Sequence, residues 1–306
     1  MTTNKNYVIY TVITGGFDTI KQPTVIDPRF DYILFTDTVT EDKLGVWSVR
    51  AIAYDCPDTR KKSRFPKIRP ESVLSEYQAS LYIDGNIRIC SQWGYDRCIE
   101  LADQGTEWAG IKHQGRKCLY DEINAIIGLG WVHDYEVLDW YRFLKKDGLP
   151  EQNDMFENNI IFRLNTENVR AVDSLWWWTI EKDYVKRDQF SLMWALWKIP
   201  GIRSSFFLDE SENAWHNNGH FICESHNPHK RLLDKSLWEK LRDRYVRKFY
   251  SSDGWEIYYT YWFDKLLKFP FPHLARHMWT GWILFRYDLI FIAKRVWYKL
   301  RGKQPR

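Results

Sequence analysis

The amino-acid sequence predicts an α/β fold in which a mixed central sheet is flanked by helices. Short apolar segments of strand-like composition occur early in the chain, helix-like segments alternate with later strands, and polar or glycine-rich residues follow the strand ends. The chain has 306 residues, of which 44% are hydrophobic and 27% are charged. This is ordinary globular composition, and the length is sufficient for one large domain with an appendage.

The first half of the chain contains most of the predicted strands. Strands are expected at residues 7–13, 32–36 and 47–51, and a helix at 67–77 leads into a strand that ends at Asp84. Farther on, we expect strands at 108–112 and 159–163, helices at 118–127 and 136–144, and two helical stretches within 169–197.

Three loops follow the early strands. They consist of residues 14–18, Asp37 and residues 84–86. Ligands of open α/β sheets bind outside the carboxyl ends of the strands, so these loops are expected to converge on a binding site.

Asp84, Gly85 and Asn86 are the most informative residues of these loops. A carboxylate at the end of a buried strand, followed by a glycine that lets the backbone approach a ligand, suits a divalent cation that carries a diphosphate. The alternative is a turn of sequence Asp-Gly-Asn that closes a hairpin. Context has to decide between them.

Five segments in this order resemble the glycosyltransferase-like family first catalogued as domain of unknown function 616. They are YTVITGGFD (10–18), FTD (35–37), RFPK (64–67) with Pro70, SLYIDGN (80–86) and RDQ (187–189). The resemblance covers residues 7–230 and implies a GT-A fold distantly similar to glycosyltransferase family 8. It further implies a nucleotide-sugar donor, with a UDP-sugar favoured, a divalent cation such as Mn²⁺ or Mg²⁺, and a glycan or lipid-linked acceptor of cell-surface polysaccharide synthesis.

The predicted donor site combines these loops with a helix. Asp84 is expected to bind the cation, with Asn86 as a weaker ligand because it stands where the family pattern usually has a second Asp. Arg64 and Lys67 offer donors to the diphosphate, although the surrounding cluster of Lys and Arg residues is also typical of a solvated basic patch. Asp37 is expected to contact the ribose or the base, or else to cap a strand end. The nucleotide would be lined by the backbone of Thr11, Ile13 and Gly15.

The acceptor side has two candidate carboxylates, Glu157 and Asp188. An inverting transferase needs a general base at the acceptor hydroxyl, whereas a retaining enzyme can use the departing phosphate. Asp188 could instead be a helix N-cap, and the resemblance favours its function in catalysis. The likeness to family 8 favours retention.

A histidine late in the domain often completes the cation site of related metal-dependent enzymes. Four histidines, at positions 216, 220, 226 and 229, are close together in the sequence. We expect His226 to be the ligand, with His220 next, although irregular histidine clusters are usually surface residues. His113 has a weaker case.

The C-terminal segment differs from the rest of the chain. Residues 231–306 carry 17 Lys and Arg against 7 Asp and Glu, which leaves 27 against 33 for residues 1–230. We therefore predict a GT-A domain over 1–230 and a basic, aromatic-rich helical extension over 231–306. A helix within it either lies on an anionic membrane surface or packs on protein. Nucleic acid is not an expected partner, because the basic residues form no recognisable binding module.

The location and the function class follow from these features. Scattered cysteines, odd in number, favour a reducing, cytoplasmic setting, with a peripheral position on the inner face of the membrane as an option. The leading prediction is a metal-assisted glycosyltransferase. The alternatives are a metal-dependent, ceramidase-like hydrolase, which would need three strong metal ligands, and a non-catalytic carbohydrate-binding protein.

Overall fold

The structure is a computed structural model that describes residues 6–127, 134–151, 154–208 and 218–226. The chain divides into two compact units, one of residues 1–125 and 139–230, the other of residues 126–138 and 231–306. The predicted C-terminal extension lies outside the described residues, so the domain boundary at residue 230 stays a prediction.

The described residues form ten strands, six α-helices and two short 3-10 turns. The strands are β1 (Tyr7–Ile13), β2 (Phe30–Thr36), β3 (Lys43–Leu44), β4 (Trp47–Ala51), β5 (Ala79–Ile83), β6 (Ile87–Ile89), β7 (Trp108–Lys112), β8 (Phe156–Leu164), β9 (Ser204–Leu208) and β10 (Phe221–Cys223). The helices are α1 (Thr59–Ile68), α2 (Trp93–Asp103), α3 (Leu119–Ile127), α4 (Asp134–Asp147), α5 (Glu167–Glu181) and α6 (Leu192–Lys198), and the 3-10 turns are Pro70–Ser72 and Asp188–Phe190.

Eight of the strands form one mixed sheet in the order β3-β4-β2-β1-β5-β8-β7-β9. Strands β4, β2, β1 and β5 run parallel, whereas β8 is antiparallel to both β5 and β7. This arrangement confirms the predicted mixed α/β class. The strand order reverses between β1 and β5, and such a switch point is where open α/β sheets bind ligands.

The central strands are apolar along their whole length because both faces of the sheet are covered. Every residue of β5 is buried, as are all residues of β1 except Tyr7. One face of the sheet packs on a core that includes Ile9, Leu81 and Phe162. Parallel strands covered on both faces read as continuous hydrophobic runs, and β1 has the predicted bounds, whereas β2 begins two residues before the expected range 32–36.

The prediction of a helix over residues 67–77 is wrong. Helix α1 begins earlier, where the side chain of Asp58 accepts hydrogen bonds from the backbone of Arg60 and Lys61. It ends at Ile68, because Pro70 disfavours helical geometry at the preceding Arg69, whose φ and ψ are −117° and 52°. The Lys67 side chain therefore lies in the last turn of the helix, at the carboxyl edge of the sheet.

A small second sheet brings a distant segment to the loop after β5. Strand β10 pairs antiparallel with β6 in the register Phe221 to Ile89. The fit is close, since a Cβ atom added to Gly94 would lie 2.9 Å from the ring of Phe221. Residues 224–226 consequently lie next to the Asp84–Asn86 loop.

Among the helices of the described ranges, none is both long and apolar enough to cross a membrane. The membrane-surface helix predicted in the C-terminal segment falls outside those ranges and stays a prediction.

The ion pair between the buried Asp27 and the half-exposed Arg29 should make the stability of the fold sensitive to acid. Burial alone would raise the pKa of Asp27, but hydrogen bonds from Arg29 and Gln92 lower it to about 2. An unfolded Asp titrates near pH ~3.9, so this carboxylate contributes about 2 kcal/mol above pH ~4, and that contribution is lost as the pH falls towards 2. Urea unfolding between pH 3 and 6 should show a smaller pH dependence for Asp27→Asn than for the wild type. Asp96→Asn, at the exposed second partner of Arg29, should leave the dependence unchanged.

Candidate active site

At the switch point, β1 extends beyond its pairing with β5 towards the carboxyl edge of the sheet. The pairing of β1 with β5 ends at Tyr10 and Tyr82, while β1 continues to Ile13. Residue 85 packs closely on the end of β1, since a Cβ atom there would lie 2.8 Å from Cγ1 of Ile13 and 3.6 Å from Cβ of Asp18. A glycine is therefore needed for the loops after β1 and β5 to meet.

The loop after β1 is held by the loop after β2. Gly15 and Gly16 have φ values of 59° and 64°, a region that glycine adopts readily. The backbone N–H of Gly15 donates to Oδ1 of Asp37 over 2.8 Å, and Nζ of Lys62 lies 3.7 Å from Oδ2. Asp37 thus shapes the loop predicted to line the nucleotide, while its own contact with ribose or base stays a prediction.

Thr11 and Ile13 are both buried in β1. Among the described residues, the Thr11 hydroxyl has no hydrogen-bond partner. The expected contact of their backbone with a nucleotide stays a prediction.

Four charged side chains from three parts of the chain meet at this edge. Nζ of Lys67 lies 2.9 Å from Oδ2 of Asp188 and 3.4 Å from Oδ1 of Asp84. Nε of Arg64 lies 3.3 Å from Oδ1 of Asp188. We call Arg64, Lys67, Asp84 and Asp188 the Lys67 cluster. It joins the last turns of α1, the end of β5 and the second 3-10 turn.

Asp84 is held on one side by its neighbours. The Tyr82 hydroxyl donates to Oδ1 over 2.7 Å, and the same oxygen contacts Lys67. The Asp84 N–H donates to the carbonyl of Asn159 over 2.8 Å, which links the residue to β8. Burial raises the pKa of Asp84, although Lys67 and the Tyr82 hydroxyl act in the opposite direction.

Asp188 is the most strongly stabilised anion of the cluster. Burial alone would raise the pKa of Asp188, but Lys67 and Arg64 hold it well below its usual range. The indole of Trp176 donates to its main-chain carbonyl over 2.9 Å. The next residue, Gln189, bonds to the start of β8 and accepts from the N–H of Asn158 over 3.2 Å. Asp188 is therefore fixed in position and ionised at neutral pH.

A second ionic group adjoins the Lys67 cluster. Glu122 is buried at the start of α3, with Nε of Arg116 at 2.9 Å and Nη2 of Arg187 at 3.6 Å. Burial raises the pKa of Glu122, whereas the two arginines lower it. Arg187 is the residue before Asp188, so it connects Glu122 to the Lys67 cluster. The sequence analysis did not single out Glu122.

Glu157 lies at the start of β8 and is half-buried. It accepts a hydrogen bond of 3.0 Å from the side chain of Asn159, whose carbonyl in turn binds the Asp84 N–H. The structure thus connects Glu157 to the Asp84 loop through Asn159, and its role towards an acceptor stays a prediction.

Asn86 is buried and uses its amide nitrogen to hold the segment after β10. Nδ2 donates to the carbonyl of Glu224 over 2.7 Å, and the Glu224 N–H donates to the carbonyl of Asn86 over 2.9 Å. The nearby thiol of Cys223 has a pKa raised to about 11 by burial and by Asp84. Asn86 therefore has a structural function in addition to any contact that its carbonyl oxygen makes.

His226 pairs with a residue that the sequence did not suggest as its partner. Nδ1 lies 2.8 and 3.0 Å from the two oxygens of Asp18, and the ring packs against Phe17. His220 stacks on Trp93. His113 has a pKa lowered to about 4 by burial and by Arg116. His216 and His229 lie outside the described residues.

A divalent cation needs oxygen or nitrogen ligands from several side chains or from the substrate. In the described part of the chain, no three His, Cys, Asp or Glu side chains are grouped so as to hold a metal ion. Mg²⁺ is commonly bound by one or two carboxylates and completed by substrate phosphates. Asp84 and Asp18 flank Gly85 and are carboxylates of this kind. The residues fit a cation shared with a diphosphate, and the ligand set Asp84, Asn86 and His226 stays a prediction.

Two contacts of the site had no usable signal in the sequence. Asp18 lies in a loop that was expected to line the site, but its partner His226 is far along the chain. Tyr82 is one of five consecutive buried residues of β5, so only the position of its hydroxyl next to Asp84 reveals its role.

Comparison with known proteins gives a family and several structures. Residues 1–220 match the model of the family described as "TOD1/MUCI70, glycosyltransferase-like domain". No curated protein matches the chain. Core-mannan synthase A from Aspergillus fumigatus, in a Mn/GDP form, is 9% identical over 67% of this chain and 73% of its own, with a TM-score of 0.41. Mouse xyloside xylosyltransferase 1, in an apo form, is 8% identical over 66% and 84%, with a TM-score of 0.37. The mixed sheet and the family match confirm the predicted fold class and the predicted class of enzyme.

Proposed function

Because the chain belongs to the TOD1/MUCI70 glycosyltransferase-like family, we propose that it transfers a sugar from a nucleotide-sugar donor, a UDP-sugar in the first instance, to a glycan or lipid-linked acceptor. The observation that carries the proposal is the Lys67 cluster. It places two cations and two carboxylates at the switch point of the sheet, where α/β folds bind their ligands.

The cations of the cluster suit the diphosphate of the donor. The guanidinium of Arg64 contacts Asp188 through Nε, and its remaining N–H groups are of the type that binds phosphate oxygens. Lys67 is held between two carboxylates, which fixes the position of a long and otherwise mobile side chain. Donors placed in advance stabilise the negative charge that develops on the leaving diphosphate.

Asp84 is the residue that would hold a divalent cation, Mn²⁺ or Mg²⁺, with Asn86 and His226 as the further candidates. When bound, such a cation would neutralise phosphate charge as the glycosidic bond breaks. Asp84 also orients Lys67, and the hydroxyl of Tyr82 keeps the carboxylate oriented.

Asp188 is better suited to positioning than to proton transfer. A carboxylate whose pKa is held well below its usual range is a weak base, since general bases work best with a pKa near the operating pH. Glu157 is the other candidate catalytic carboxylate. A retaining reaction, in which the departing phosphate takes the acceptor proton, requires neither carboxylate as base.

Thermal unfolding of the full chain with a panel of UDP-, GDP-, CMP- and dTDP-sugars, with and without Mn²⁺, tests the proposal. We expect one nucleotide class to stabilise the protein in a metal-dependent manner, by about 2.7 kcal/mol when the ligand is at ~100 times its Kd. Asp84→Ala should abolish this stabilisation, because it removes the proposed cation ligand.

Asp31→Asn is the matched control. Asp31 also accepts a hydrogen bond from a tyrosine hydroxyl, that of Tyr77 at 2.9 Å, but it lies in β2 and outside the Lys67 cluster. This variant should keep the full response. If no nucleotide sugar stabilises the folded wild type, the hydrolase or carbohydrate-binding alternative becomes the better explanation.

The setting of the reaction is part of the same proposal. The acidic character of residues 1–230 and the basic, aromatic-rich character of residues 231–306 would suit an enzyme that works at the inner face of a membrane on a lipid-linked saccharide.

A further inference from the structure

Arg163 is a buried cation in the middle of the sheet. It belongs to β8 and is 2% exposed. Its guanidinium lies against the rings of Trp108 and Trp176, with centroid distances of 4.5 and 5.7 Å. A buried charge is costly unless it is paired and hydrogen-bonded, so the contacts of Arg163 call for an explanation.

These contacts reach the main chain of Lys67. Nη1 of Arg163 donates to the Lys67 carbonyl over 2.8 Å and to the Tyr10 hydroxyl over 2.9 Å. The Tyr10 hydroxyl donates to the same carbonyl over 3.2 Å. Lys67 lies in the last turn of α1, where carbonyls lack partners within the helix and where a cation is favoured. Arg163 and Tyr10 thus fix the backbone from which the Lys67 side chain projects.

On its other side, the Arg163 guanidinium faces a buried carboxyl group. Nε lies 3.4 Å from Oδ1 of Asp173, which is 1% exposed in α5. Within the described ranges, neither oxygen of Asp173 and neither Nε nor Nη2 of Arg163 has a directed hydrogen bond.

These atoms adjoin a small cavity whose lining is mostly apolar. It has a volume of about 20 Å³ and is lined in part by Glu71, Asn165 and Asp173. That volume suits one water molecule, which needs two to four polar partners, and the carboxylate and guanidinium atoms provide them. A water molecule bound there would bridge the Arg163 and Asp173 side chains.

We infer that Arg163 is a positioning residue that sets the location of the Lys67 ammonium group between Asp84 and Asp188. The inference rests on the proposed function for its effect on transfer, but its structural part does not depend on that function. The chain of contacts is short, from the Arg163 guanidinium to the Lys67 carbonyl and from the Lys67 side chain to the two carboxylates.

Arg163→Lys keeps the charge and removes the fork that reaches the Lys67 carbonyl. We expect this variant to lower kcat about 100-fold with little change in KM, since a displacement of ~1 Å in a catalytic group costs a factor of this size. In the Lys67→Met background, Arg163→Lys should cause no further loss of kcat. Arg97→Lys is the matched control, because Arg97 also donates to main-chain carbonyls, those of Phe206 and Phe207, on another part of the sheet. It should keep the wild-type kcat.

Urea unfolding of the wild type, Arg163→Lys, Lys67→Met and the double variant gives a readout that needs no activity. If Arg163 positions the Lys67 side chain, the effects of Arg163→Lys and Lys67→Met on the free energy of unfolding are not additive. Additive effects overturn the inference, whether or not the wild type transfers sugar. A wild type without transfer but with non-additive unfolding would refute the proposed function and support the positioning role.

Tyr10→Phe serves if Arg163→Lys does not fold. It removes the hydroxyl that accepts from Arg163 and donates to the Lys67 carbonyl, leaves the ring in place, and keeps the direct hydrogen bond from Arg163 to that carbonyl. A smaller fall in kcat that disappears in the Lys67→Met background supports the inference. An unchanged kcat for Tyr10→Phe, in a protein with wild-type stability, counts against it.

Discussion

Replacing Lys67 with Met is expected to lower the kcat of sugar transfer by a factor of about 10² to 10³, the usual cost of removing one preorganised donor to a developing negative charge. The side chain lies in the last turn of α1, and its ammonium group contacts Asp188 at 2.9 Å and Asp84 at 3.4 Å. Met has a similar length and an apolar stem, so it fills the space over the Tyr82 ring that the lysine now occupies. The loss should therefore come from the missing charge.

The measurement is steady-state transfer with the donor identified by thermal unfolding. Lys61→Met is the control. Lys61 belongs to the same helix, and its Nζ lies 2.7 Å from Oδ2 of Asp183. The Asp183 side chain is 60% exposed. This variant should retain turnover within about twofold, because exposed ion pairs contribute little. Full turnover in Lys67→Met would show that the diphosphate is bound elsewhere.

The fold was predictable where local chemistry sets an element. Strands β1, β4 and β7 have the predicted bounds. β1 is an apolar run followed by a glycine-rich loop, whereas β4 alternates apolar and polar residues. The helix expected at 67–77 was misplaced because its start depends on the Asp58 cap and its end on Pro70, and these local signals outweigh apolar spacing. Strands β6 and β10 are only three residues long and stabilise each other across the chain, so neither carries a pattern of its own.

The site was predictable to the extent that its residues are close in sequence. Arg64 and Lys67 lie in α1, and only one 3-10 turn separates this helix from β5, so their approach to Asp84 follows from the α/β pattern. Asp188 reaches Lys67 from far along the chain, and only the resemblance to a family pointed to it. Two further contacts depend on tertiary packing, namely those of His226 with Asp18 and of Arg163 with the Lys67 carbonyl. The partners are far apart in the chain, so no local sequence pattern predicts that they meet.

Asp188→Asn is expected to reduce both stability and turnover. The carboxylate accepts from Lys67 and Arg64, and all three side chains are mostly buried. Removing one member of a buried ionic group leaves the others uncompensated, at a cost of about 3 kcal/mol in the free energy of unfolding. An amide in this position would also direct N–H groups towards one of the two cations. Urea unfolding and kcat on the same preparations measure the two effects.

Asp183→Asn is the matched control, because Asp183 is the partner of Lys61 on the surface as Asp188 is the partner of Lys67 in the cluster. It has a φ of 57°, a conformation that asparagine also tolerates. We expect a change below ~1 kcal/mol for this variant. A comparable loss in both variants would indicate that the Asp188 contacts have no special contribution.

The dependence on pH separates a positioning anion from a group that exchanges protons during the reaction. Lys67 and Arg64 hold the pKa of Asp188 below its usual range despite the opposing effect of burial. An unfolded Asp titrates near pH ~3.9, so the stability difference between wild type and Asp188→Asn should be constant above pH ~4 and shrink as the pH falls further. A general acid or base that operates near neutral pH would show a change in that range instead. A difference that varies between pH 5 and 8 would therefore contradict the positioning role, and with it the view that Asp188 acts by holding Lys67 and Arg64 in place.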